Sequence, residues 1–118
     1  MPIEQNKAIA RRFIEEVWNR GHLDAADELL AADLITHNAD GSVTKGRNAF
    51  KQFISDFRAA NRDLHFSIED VLGEGSEVAT RVTIRSDKAM QTGIGIVRIA
   101  DGRIVEQWAN TDHLRPPG

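Results

Sequence analysis

The residues best able to do chemistry lie near the end of the sequence. Trp108, Asn110 and Asp112 alternate with Ala109 and Thr111, and residues two apart on a strand share a face. If Trp108 faces an interior, Asp112 stands at its mouth beside an indole. Desolvation there raises a carboxyl's pKa and suits it to proton transfer at neutral pH. The plain alternative is a solvated aspartate at a strand end. His37 could be a second acid/base or orient a carbonyl; it could equally be a loop histidine bonded to backbone. Trp108 fits a cavity wall or ordinary core. Asn110 could bind a ligand or satisfy a neighbouring strand. Trp18 could line the same cavity or pack within the core. Arg81 and Arg85 share a strand face; turned inward an arginine binds a carboxylate or enolate oxygen, turned outward it belongs to a solvated sheet face.

Other chemistries lack their motifs. The four histidines have no metal-ligand spacing, so no metal is expected. Gly93-Ile94-Gly95 falls inside a strand pattern and is no dinucleotide fingerprint. No serine or cysteine nucleophile motif is present. There are no cysteines, which excludes disulfides. Any reaction is therefore expected to be cofactor-free.

These side chains need a scaffold, and the periodicity supplies one. Ile9, Phe13 and Val17, with Ile14 and Trp18 in the next row, predict a helix over about Glu4–Asn19, ended by Gly21. Leu23, Ala26, Leu29 and Leu30 predict a short helix over about Asp24–Ala31, and Asp33–Asn38 a brief extended piece. Residues 38–42 carry turn chemistry. After Gly46, the i, i+3, i+4, i+7 spacing of Phe50, Phe53, Ile54 and Phe57 predicts a central core helix. From Asp63 the period falls to two. Strands are predicted over about 63–72, 78–85, 90–99 and 104–112, turning at 73–76, at 86–88 and at Asp101-Gly102. Gly93 and Gly95 are candidate bend points. Residues 114–118, with Pro116 and Pro117, are expected to fray.

Helices followed by a strand meander predict one α+β domain over 1–118, a cone-shaped curved antiparallel sheet wrapped around N-terminal helices. The open end of such a cone is a natural pocket. A net charge of −3 without a basic run argues against nucleic acid. No apolar run approaches the roughly 20 residues that span a membrane. The N-terminus lacks the layout of a secretory signal, so the cytoplasm is the expected location.

The run Gly93–Asp112, with its Asp101-Gly102 turn followed by Arg103-Ile104-Val105-Glu106-Gln107-Trp108, resembles the C-terminal hairpin of the SnoaL-like polyketide cyclase family of the nuclear-transport-factor-2-like superfamily. The segments 6–19, 21–30 and 33–38 resemble it too. The resemblance implies a cystatin-like α+β barrel with an interior cavity. It implies Asp112 as general acid/base of an intramolecular aldol condensation, and His37 facing the cavity. Family members carry a longer excursion, with a histidine, where Ile84–Met90 here connects almost directly.

The resulting expectations span several classes. One is a cofactor-free cyclase or isomerase acting on a small apolar carbonyl compound. Another is a non-catalytic module holding a small hydrophobic molecule. Epoxide hydrolysis, also found on this fold, needs an Asp–Arg–Asp set of which Arg81 and Asp112 would supply two members. A homodimer through the outer sheet face is expected in addition.

Overall fold

A computed structural model describes residues 2–117. The first helix, α1 (Ile3–Arg12), starts where the Pro2 carbonyl accepts the amides of Gln5 and Asn6 at 3.1 and 3.2 Å. From Phe13 to Asn19 the same helix is wound as a π-helix. Such widened turns cluster at functional sites, and here the widening buries Phe13, Ile14, Val17 and Trp18 together. The apolar stripe predicts the helix; its winding is set by packing.

The helix ends at Gly21, whose φ of +70° is the left-handed conformation a side chain resists. Arg58 then covers the helix end, donating from Nη1 to the Asn19 carbonyl at 2.9 Å and to that of Trp18. A Cβ on Gly21 would lie 2.7 Å from Arg58 Nε. Gly21→Ala is expected to cost about 1–2 kcal/mol, read as a lower urea midpoint at unchanged m-value.

Helix α2 (Leu23–Leu29) runs directly into strand β1 (Leu30–His37). The predicted helix to Ala31 is therefore too long. Leu30 is already extended and pairs with Ile104, so burial in the sheet overrides its helical spacing. A turn held by Asn38 N donating to the Ser42 carbonyl at 2.9 Å leads into β2 (Val43–Lys45), too short to register as a pattern.

Helix α3 (Arg47–Ala60) buries Phe50 and Ile54, but Phe53 is 46% exposed. The core face expected of α3 is corrected at Phe53 alone: Phe57 still packs against the core, while Phe53 lines the cavity and stays partly open. Strands β3 (His65–Glu74), β4 (Glu77–Arg85), β5 (Met90–Ala100) and β6 (Arg103–Thr111) form the predicted meander. Asp101 and Gly102 have φ of 53° and 78°, as a tight primed hairpin requires.

The sheet order is β2-β1-β6-β5-β4-β3, curved and not closed. Its β1–β6 pairing is parallel, so the sheet is mixed rather than wholly antiparallel. Register shifts fall at Leu30/Ile35, Ile68/Asp70 and Arg98/Ile99, while Gly93 and Gly95 pair regularly. In the tail, Arg115 exchanges both backbone hydrogen bonds with Met90, at 3.0 and 2.8 Å, and so is pinned. Among the described residues no helix is long and apolar enough to cross a membrane.

Candidate functional site

The concave side of the sheet and the helices enclose a cavity of about 580 Å³. Its helical wall is aromatic. The Trp18 ring stacks on Phe66 with centroids 4.8 Å apart, and meets Phe50, Phe53 and Phe57 edge-on at 6.1, 6.2 and 5.8 Å. Asn19, next in sequence, locks this arrangement. Its side chain donates to the Phe66 carbonyl at 3.0 Å and accepts the Phe66 amide at 2.7 Å. Those are backbone groups of an edge strand, which need partners.

The sheet wall is set by strand parity. Thr80, Val82 and Ile84 line the cavity, with Gly93, Gly95 and Val97 beside them on β5. Across from Val97 stands Gln107, and beside Gln107 in the parallel ladder stands Thr36. Both are buried, and Gln107 Nε2 donates to Thr36 Oγ1 at 2.9 Å. Gln107 thus takes the inward parity on β6. Trp108, Asn110 and Asp112 fall on the opposite parity.

Trp108 and Asn110 are among the residues that line the cavity, while the Trp108 indole stacks on the His37 ring, centroids 5.1 Å apart and 6° from parallel. His37 alternates with the inward Thr36 and is absent from the cavity lining. Its Nε2 pairs with Glu106 Oε2 at 2.7 Å, and Glu106 Oε1 accepts from Arg98 Nη2 at 3.0 Å. The His37 hydrogen bond, then Arg98, holds the Glu106 carboxyl below its ordinary range. The charged cluster therefore decorates the convex face. Arg81 is there too, half exposed and paired with Asp70 at 2.7 Å. Of the six predicted site residues, Trp18, Trp108 and Asn110 line the cavity, and His37, Arg81 and Asp112 do not.

Asp112 is tied to backbone. Oδ1 accepts the Thr92 amide at 2.8 Å, and Oδ2 accepts the Thr92 hydroxyl at 2.9 Å and Arg115 Nη1 at 2.6 Å. The Thr92 amide above all, then Arg115, brings its pKa down from the ordinary 3.8 to about 2. That corrects the expected upward shift, because donors outweigh the small desolvation. A depressed carboxyl stabilises the fold above its unfolded pKa and loses that contribution as pH falls. Asp112→Asn is therefore expected to be less stable than the parent at pH 6. The difference should vanish between pH 4 and 2, as thermal melts at each pH would show.

The sequence pattern did not point to Asp40, Thr36 or Gln107. Asp40 is the one ionisable side chain among the described residues that line the cavity. It sits in the turn after β1, where Oδ1 accepts the Ser42 hydroxyl at 2.6 Å and amide at 2.8 Å. The hydroxyl first, then the amide, keeps its carboxyl below the usual range. The shared parity of Leu34 and Thr36 was the available signal for Thr36. Among the described residues no group of three or more histidines and carboxylates is placed to hold a metal.

The sequence matches the family model for the SnoaL-like polyketide cyclase over residues 8–116. No curated protein matches it by sequence. Among solved structures, an NTF2-like protein of unknown function from Mesorhizobium loti is 28% identical, with 93% of each chain covered and a TM-score of 0.80. The IdmH 96-104 loop truncation variant is 25% identical, covering 91% of this chain and 92% of that one, with a TM-score of 0.83. An LEH-like epoxide hydrolase of M. tuberculosis shares the fold at 19% identity, covering 93% and 84%, with a TM-score of 0.78.

Proposed function

This chain belongs to the SnoaL-like polyketide cyclase family, and we propose that it holds an uncharged, largely apolar small molecule inside its cone, with no part for Asp112 in acid–base chemistry. One observation carries this reading. The cavity of about 580 Å³ is walled by aromatic rings, and its only ionisable lining side chain among the described residues is Asp40 at the mouth. Binding sites for drug-sized molecules span ~300–1,000 Å³ and are mainly apolar with a few placed polar groups. An ion entering here pays its desolvation with no opposite charge beyond the mouth to compensate.

The test uses Trp18 as reporter. The chain has two tryptophans, so Trp108→Phe leaves Trp18 alone. Quenching of its emission by an uncharged aromatic compound, saturating at one site per chain, is the expected result. Emission unchanged up to the compound's solubility limit would overturn the reading.

A second reading, cofactor-free cyclisation or isomerisation, is favoured by the family match. The lining then offers Asp40 as the proton carrier. On that reading Asp40→Asn abolishes turnover of a carbonyl substrate while Asp112→Asn keeps it; the opposite pattern restores Asp112. Epoxide hydrolysis draws less support, since Arg81 points away from the cavity. A homodimer through the convex face remains part of the proposal: the His37–Trp108 stack there is a ready apolar contact for a second copy. Light scattering that finds only the 13.1 kDa chain at high concentration excludes it.

A further inference from the structure

The Thr36–Gln107 pair has bonding capacity left over. Thr36 is 2% exposed and Gln107 6%, and both line the cavity. The bond from Gln107 Nε2 to Thr36 Oγ1 uses one amide hydrogen and one hydroxyl lone pair. It leaves the Gln107 carboxamide oxygen and the Thr36 hydroxyl hydrogen with no partner among the described residues. Polar groups this buried are nearly always satisfied, because leaving them bare is costly. A free acceptor and a free donor, side by side on neighbouring strands, are complementary to a group that donates and accepts at once.

We infer that Thr36 and Gln107 form a docking point for a hydroxyl group of the bound molecule, a phenol, enol or alcohol, which donates to one residue and accepts from the other. A hydroxyl fits whichever way the carboxamide is turned, since reversing it exchanges which residue offers the donor and which the acceptor. An ether or ketone accepts only and leaves one group bare. A carboxylate also accepts only, and brings a charge that no cation in the lining balances. The pair sits on the sheet wall, facing the helical wall of Trp18, Phe50 and Phe53 across the cavity. The ligand's apolar body therefore lies against the rings while its hydroxyl meets the sheet. This rests on the reading of the cavity as a site for an uncharged molecule, and names what that molecule must carry.

Calorimetric titration at pH 7 with 2-naphthol, 2-methoxynaphthalene, naphthalene and 2-naphthoate tests it. With the parent protein, 2-naphthol is expected to bind about 10-fold tighter than naphthalene. 2-Methoxynaphthalene should stay within about 3-fold of naphthalene, and 2-naphthoate should be roughly 100-fold weaker than the naphthol. Thr36→Val combined with Gln107→Leu removes both partners at once, which spares the fold an orphaned group. It is expected to bring 2-naphthol to the level of naphthalene and leave naphthalene unchanged. If none of the compounds binds the parent protein, the cavity reading fails and this inference with it. If naphthalene binds and the methoxy compound equals the naphthol, the docking point alone is overturned, with no variant needed. The same holds if the double variant keeps the naphthol's advantage.

Discussion

Trp18→Ala is expected to destabilise the protein by about 3–5 kcal/mol, the range for deleting a buried tryptophan side chain. The Trp18 ring joins the N-terminal helix to both α3 and β3. Trp18 stacks on Phe66 of the edge strand β3 and meets three phenylalanines of α3 edge-on. Its own carbonyl and that of Asn19 receive Arg58 from α3. Truncation leaves the rings of two elements without their common partner, and the neighbouring cavity gives them no surface to collapse onto. Trp18→Phe keeps a ring in place and is expected to lose less than half as much. Urea titrations of parent and both variants, compared at equal m-value, decide the matter. A loss below about 1 kcal/mol for Trp18→Ala would mean that the aromatic wall contributes little to the fold and is retained for the ligand.

Much of this architecture was legible because two periodicities were clean. The stripe of Ile9, Phe13, Val17 and its neighbours, and the four-residue pattern of Phe50, Ile54 and Phe57, mark α1 and α3. The alternation beyond Asp63 and the Asp101-Gly102 turn mark the meander. What escaped depends on contacts distant in sequence. Leu30 is strand because Ile104 lies beside it, and β1 joins β6 in parallel through a crossover that no local pattern reveals. The π-winding after Arg12 answers to the packing of four side chains at once.

The site was harder to read for a specific reason. Alternation sorts β6 into two faces without saying which is inside. Ile104 and Val105 are both apolar, and a register shift at Arg98/Ile99 stands between them and the regular part of β5. A large apolar Trp108 suggests an interior, yet its indole finds a partner outside in His37. Gln107 goes inside because Thr36 bonds it. That one-residue choice carried Asn110 and Asp112 to the convex parity with Trp108. Asp112, at the strand end, then bonds the backbone of Thr92 instead of standing desolvated at the mouth. The family resemblance located the cone correctly, but His37 and Asp112, the residues it implied for the chemistry, lie outside the cavity lining, whereas Trp18, Trp108 and Asn110 belong to it.

Gly95→Leu is expected to remove cavity binding while leaving the fold intact. Gly95 pairs with Thr80 and Ala109 on the inward parity of the sheet. A Cβ there would lie 3.5 Å from the Trp108 carbonyl and 3.8 Å from Thr80 Oγ1, both ordinary contacts. The first carbon is thus accommodated, and the rest of a leucine side chain extends into the space the ligand needs. Gly93 offers no such clean test, because a Cβ there would come within 3.3 Å of both the Asn110 carbonyl and Thr111 Cγ2. Overfilling a packed site costs about 1–3 kcal/mol, which weakens an uncharged aromatic ligand roughly 5- to 150-fold. Stability should hold or rise slightly, since a strand glycine is replaced by a residue with apolar surface to bury. Gly95→Ala, filling only the first position, is expected to bind within about 3-fold of the parent. If Gly95→Leu folds and binds as before, the molecule is held elsewhere, and the convex face around Trp108 becomes the place to look. If affinity falls in the order Gly, Ala, Leu at unchanged melting temperature, the ligand lies against the β5 wall, within reach of Thr36 and Gln107.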